Sequence, residues 1–129
     1  MARRPQRIVK GTGSMGLRIA VALIFGLLSV CHILFGFTNL GYVEELPGDL
    51  NVAAEGLGAI IAGLALAWTA LQDPRTLRPW LVLLLTGCVF LAAMLLSVAT
   101  GASDPPMLLV ALIVPLIGTV GFIVTRSDT

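Results

Sequence analysis

The sequence predicts an all-α, polytopic membrane protein: an antiparallel bundle of four transmembrane helices with both termini cytoplasmic. Three observations carry this expectation. The first is composition. Of 129 residues 57% are hydrophobic and only 12% are charged, and the mean hydropathy is +1.00. A soluble domain carries about 25% charged residues; so few polar side chains could not cover this much apolar surface in water, whereas lipid needs no such cover. The second is length. Four apolar runs, Ile19–Phe37, Val52–Leu71, Trp80–Thr100 and Met107–Thr125, each approach the ~20 residues that a helix needs to cross a ~30 Å hydrocarbon layer. None alternates like a barrel strand, and helices satisfy their own backbone groups, as lipid demands. The third is where the charges fall. Arg3, Arg4, Arg7, Lys10 and Arg18 precede the first run, Arg75 and Arg78 separate the second from the third, and Arg126 follows the fourth. The other two connections hold Glu44, Glu45, Asp49 and Asp104 and no basic residue. The positive-inside rule then puts both ends and the middle turn in the cytoplasm.

Residues 1–18 form a basic cytoplasmic tail. Its segment "ARRPQRIVKGTGS" is polar and expected to be disordered, and Met15 offers a second candidate start. The tail and first run resemble a signal peptide in outline, but the apolar stretch is too long and no small-x-small site follows, so an uncleaved anchor is expected. The transmembrane domain occupies 19–125, and 126–129 form a short cytoplasmic tail. Connections such as "QDPRTLRP" and "GASDPP" are short and punctuated by Gly and Pro, which makes successive helices antiparallel neighbours. Trp68 and Trp80 fall where cytoplasmic-side aromatic anchors would sit, and Phe35, Phe37 and Tyr42 lie near the outer face. In "LPGD", Asp49 or nearby Asn51 is placed to cap the second helix.

In lipid, packed helix faces are marked by small and polar residues rather than by Leu. The first helix carries Arg18, Ala22, Phe25, Ser29, His32 and Gly36 on one stripe. The second carries Glu55, Gly58, Ala59, Ala62 and Thr69, with Ala59, Gly63 and Ala67 at four-residue steps as a candidate helix-packing face open to a partner or a second copy. The third carries Thr86, Ala93, Ser97 and Thr100; the fourth carries Ala111, Pro115, Gly118 and Thr125, with Pro115 expected to kink it. His32, near the outer end of helix one, and Glu55, near the outer start of helix two, form a candidate buried polar pair, because ionisable groups in a membrane usually pair or line a wet cavity. The pair reads as an interhelical bond or as a proton- or ligand-handling site, unless Glu55 simply snorkels to outer water.

Other chemistry finds little support. No phosphate-binding glycine loop is present. Cys31 and Cys88 are far apart in sequence and read as small buried side chains, so no disulfide is expected. A lone His and two distant Cys do not make a metal site, Ser29 reads as a packing residue, and no catalytic residue or cofactor is assigned. Nucleic acid is an unattractive partner for so short a basic tail without aromatics; the lipid bilayer is the expected one. A haem on His32 would need a second axial ligand from another chain.

The stretch "EGLGAIIAGLALAW" through "QDPRTLRPWLVLLLTGCVFLAAMLLS" is similar to the DoxX-like families of small four-helix integral membrane proteins: a Gly/Ala-rich second helix, an Arg/Pro turn, and an apolar third helix. The resemblance covers half the chain and implies the same architecture. Some of those families carry an ionisable residue in the third or fourth helix; "AAMLLS" and "ALIVPLIG" have none, so no functional residue is carried over. The expected function is a non-enzymatic accessory or structural subunit working through helix–helix contacts. The alternatives are a small transporter coupled to protons or cations through Glu55 and a quinone- or haem-linked redox subunit. Seven Arg against one Lys point to a GC-rich bacterial source, and hence to the inner (plasma) membrane.

Overall fold

The computed structural model describes residues 3–46 and 48–127, with residues 3–14 as backbone only. Four helices follow one another: α1 Arg3–Gly41, α2 Leu50–Ala70, α3 Leu77–Ala99 and α4 Leu108–Ser127, the last entered through a 3-10 turn at Pro105–Met107. Each contains a stretch long and apolar enough to cross a membrane, starting at Met15 in α1. No strand occurs among the described residues.

The helices are antiparallel in register. Between α1 and α2, Ser29 meets Gly63 and Gly36 meets Gly56, so one number falls as the other rises. Between α2 and α3, Gly58 meets Phe90 and Asn51 meets Ser97; between α3 and α4, Gly87 meets Pro115 and Leu84 meets Gly118. The backbones pack in sequence order, α1 on α2, α2 on α3 and α3 on α4. The outer helices α1 and α4 do not pack along their lengths. Only α1 side chains reach past α2: the rings of His32 and Phe35 stand edge-on to Phe90, and Phe25 stands edge-on to Trp80.

Small residues set how closely the backbones approach. A Cβ on Gly36 would lie 2.6 Å from the Gly56 carbonyl oxygen, and one on Gly87 would lie 2.6 Å from the Pro115 nitrogen. Three of the four expected stripes are the buried faces: Phe25, Ser29, His32 and Gly36 in α1, Glu55, Gly58, Ala59, Ala62 and Thr69 in α2, and Ala111, Pro115, Gly118 and Thr125 in α4. Arg18, at the end of the α1 stripe, is exposed. The helix runs unbroken through Pro115, whose ring seats on Gly87.

The α3 face differs from expectation. Its buried residues are Pro79, Trp80, Leu83, Gly87, Phe90, Met94 and Ser97, while Thr86 and Ala93 are half-buried and Thr100 is exposed. Thr86 donates its hydroxyl back to Val82 O at 2.8 Å, and Thr100 does so to Leu96 O at 2.9 Å. A threonine that donates within its own turn, such as Thr86, needs no helix interface, although Thr100 Oγ1 also accepts from Asn51 Nδ2 at 2.9 Å.

Four further expectations are corrected. The segment before Met15 is not irregular: α1 extends back to Arg3. Cys31 and Cys88 are exposed on the helix surfaces rather than buried. Trp80 is buried, its Nε1 donating to Pro74 O at 2.8 Å, so it is a packing residue rather than an interfacial anchor. Neither Asp49 nor Asn51 caps α2 with its side chain. Asp49 Oδ2 instead accepts from the backbone N–H groups of Glu44 and Glu45, at 2.9 and 3.2 Å, which holds its carboxyl below the usual range. Pro47 of the "LPGD" turn, the side chains of Arg3, Arg4, Arg7 and Lys10, and residues 128–129 lie outside the described residues.

Candidate functional site

A cluster of bonded polar residues lies at the acidic end of the bundle, around Glu55. Its side chain is buried, at 3% exposure, so it does not snorkel to water. The carboxylate accepts from Asn39 Nδ2 at 2.8 Å and from Ser103 Oγ. Both donors are neutral. A carboxylate has only acceptors to offer, and the two bonds keep both of its oxygens partnered away from water, where leaving them bare would be costly.

Each donor arrives for a local reason. Asn39 continues the α1 stripe three residues beyond Gly36, and it is helical because α1 runs on to Gly41 rather than ending at Phe37. Ser103 is delivered by the end of α3. Gly101 adopts φ +80°, a left-handed conformation that glycine takes without steric cost. Gly101 N then donates to Val98 O and Ala102 N to Ser97 O, the paired bonds of a Schellman cap. Ser103 N also donates to Ser97 O, which folds the connection back over α3 and toward Glu55. A second set of bonds lies alongside: Asn51 Nδ2 donates to Thr100 Oγ1 at 2.9 Å, and Ser97 Oγ to Asn51 O at 3.3 Å. Together these tie α1, α2, α3 and the α3–α4 connection at one end.

His32 and Glu55 do not form a pair. His32 is level with Gly63, whose Cβ position would be 3.2 Å from His32 Cβ, and Gly63 is two turns along α2 from Glu55, or ~12 Å of rise. The expectation failed because α1 is longer than its apolar run, which shifts the register of the hairpin. His32 is buried, and its Nδ1 lies 2.8 Å from Leu28 O, one turn back on its own helix. A carbonyl only accepts, so Nδ1 donates in this bond. The other ring nitrogen, Nε2, is buried without a hydrogen-bond partner, and the ring stands against Phe90.

The Ala59–Gly63–Ala67 face is used within the chain. Ala59 and Gly63 are buried and Ala67 half-buried. A Cβ on Gly63 would lie 2.7 Å from Ile33 Cγ1 and 3.0 Å from Ser29 O. Gly63 O also accepts from Ser29 Oγ at 2.6 Å. This face binds α1 and is not open to a partner; the Ser29 hydroxyl is occupied by the same contact. Among the described residues no three His, Cys, Asp or Glu side chains gather to hold a metal ion.

Sequence reasoning identified Glu55 and missed both of its partners. The heptad step from His32 to Asn39 was a usable signal. Ser103 gave none, since its position depends on the cap at Gly101. Compared with known proteins, the chain matches no family model, no curated protein and no solved structure.

Proposed function

We propose that this chain is a non-enzymatic accessory subunit of the bacterial plasma membrane that acts through helix–helix contacts with other membrane proteins or a second copy of itself. The observation that supports this reading best is the use made of the buried polar groups. Ser29, Asn39, Ser97 and Ser103 each donate from one element to another, so their polarity goes into holding the bundle's shape. A second support is α1, which packs along only one neighbour, α2. Between Ile19 and Phe37 its exposed surface is apolar, as at Leu23, Leu27, Val30 and Leu34. Gly16 and Gly26 have open space where a Cβ would be, so a partner helix can approach the backbone closely there. The basic and acidic connections fall at opposite ends of the bundle, and the positive-inside rule puts the basic end in the cytoplasm.

Photo-crosslinking in native membranes tests the reading. A photoreactive residue at Leu27 or Val30 is expected to form a protein adduct, either a defined heteromer or a homodimer. Lipid adducts alone at both positions would overturn it.

One observation favours a second reading: both groups bonded to the Glu55 carboxylate are neutral. No charged side chain bonds to it among the described residues, so this carboxylate is the coupling group in the reading of the chain as a small proton- or cation-coupled transporter. Addition of candidate cations to the purified protein would then release protons, and Glu55→Gln would abolish the release. Unchanged proton release in that variant, or none in the parent, removes this alternative.

A further inference from the structure

The gap between the outer helices is a shaped cleft. It has a volume of about 470 Å³ and lies between Leu17, Val21 and Phe25 of α1 and Leu116, Val120 and Val124 of α4. Eight residues separate first from last on each wall, so it runs ~12 Å parallel to the helix axes. Trp80 forms part of its lining and is held rigidly: its Nε1 donates to Pro74 O, Phe25 stands edge-on at 5.8 Å, and the indole lies directly over Gly121, where any Cβ would collide with it. The wall is almost entirely apolar. Its polar end is marked by Pro74 and Thr125, whose hydroxyl donates to Pro74 O at 3.4 Å.

At that end the chemistry changes sign. Arg18 follows Leu17, Arg75 follows Pro74 and Arg126 follows Thr125, so each arginine adjoins a residue lining the cleft; all three are exposed, as is Arg78 one turn into α3. The one carboxylate among the described residues there is Asp73. Its carboxyl is held low by the Arg75 backbone N–H and by the charges of Arg75 and Arg18, so it stays ionised, and it pairs with Arg75 Nε at 3.4 Å; with four arginines against this one carboxylate, the described residues at this end keep a net positive charge. An apolar slot parallel to the helix axes, with arginines next in sequence to the residues at its polar end, complements an anionic amphiphile. Guanidinium groups engage phosphate oxygens well, often with two hydrogen bonds, and basic groups at a membrane surface favour anionic lipid.

We propose that the cleft between α1 and α4 is a binding site for one anionic phospholipid, with an acyl chain along Trp80 and the phosphate among Arg18, Arg75 and Arg126. Charge complementarity selects this occupant over a neutral lipid, and the inference is independent of the accessory-subunit reading.

Native mass spectrometry of the full chain, released from micelles doped equally with phosphatidylglycerol and phosphatidylcholine, tests it. The expected result is one retained phosphatidylglycerol per chain, preferred about fivefold for each arginine engaged. Val120→Trp fills the slot from its 58% exposed position and should abolish retention of the bound lipid. Arg18→Gln with Arg126→Gln leaves the apolar walls intact and should lower the headgroup preference about twenty-five-fold, to what Arg75 alone supplies, while retaining a lipid. If Val120→Trp fails to fold, the arginine variant decides alone. Equal retention of the two lipids by the parent, or an unchanged preference in the arginine variant, overturns the proposal. So does a homodimer that Val120→Trp dissociates, since a second copy would then occupy the slot.

Discussion

At Glu55 the chain buries a carboxylate and surrounds it with donors that carry no charge. Glu55→Ala would leave the Asn39 amide and the Ser103 hydroxyl without their acceptor, and the expected loss is about 1–3 kcal/mol, read as a lowered melting temperature in detergent. Glu55→Gln is expected to cost less, because its oxygen can face Asn39 while the Ser103 hydroxyl turns to accept from its amide. His32 predicts the opposite. Its Nε2 is buried and unbonded, so His32→Leu removes an unsatisfied polar atom and should be neutral or mildly stabilising. A loss matching that of Glu55→Ala, with strong coupling in the double variant, would restore the direct pair that the register excludes. Asp49 gives a pH dependence. Its carboxyl is held below the usual range by the Glu44 and Glu45 backbone N–H groups. The charged form therefore favours the folded turn at all pH above the unfolded value, and this contribution fades as pH falls through the lowered one. Carbon-detected titration of Asp49 should show it, and Asp49→Asn should remove it at neutral pH.

At the scale of an element, the helix ends and crossings rest on a few glycines. Gly101 sits at φ +80°, where an alanine costs about 1–2 kcal/mol. Gly101→Ala is expected to loosen the α3 cap and, with it, the Ser103 bond to Glu55, so its effect should be less than additive with Glu55→Ala. Gly87→Ala puts a methyl group against the Pro115 backbone, which has no side-chain freedom with which to yield; overpacking of this kind costs about 1–3 kcal/mol. Gly26→Ala, with open space at the same test position, is the matched control and should leave the melting temperature unchanged or raise it.

At the scale of the whole molecule, the four helices form a chain of packed pairs with a seam between α1 and α4, rather than a bundle closed on every side. The antiparallel order collects Arg18, Arg75, Arg78 and Arg126 at one end and Glu44, Glu45, Asp49 and Asp104 at the other. In a background lacking Cys31 and Cys88, Gly48→Cys in intact cells should react with an impermeant maleimide while a cysteine at position 129 stays protected. The reverse pattern would invert the orientation proposed from the charges.

The number of helices, their antiparallel order and three of the four buried faces were legible in the sequence. They follow from local physics: run length against bilayer thickness, Gly and Pro between the runs, and small or polar residues at helical spacing. Only the tertiary structure decided which residues meet. The partners of Glu55 depend on the register of α1 against α2, set where Gly36 and Gly56 let the backbones meet, and on how the cap at Gly101 turns the chain back toward α2. For the same reason the cleft beside Trp80 has no sequence signature: it exists where two helices, each apolar in the ordinary way, fail to touch.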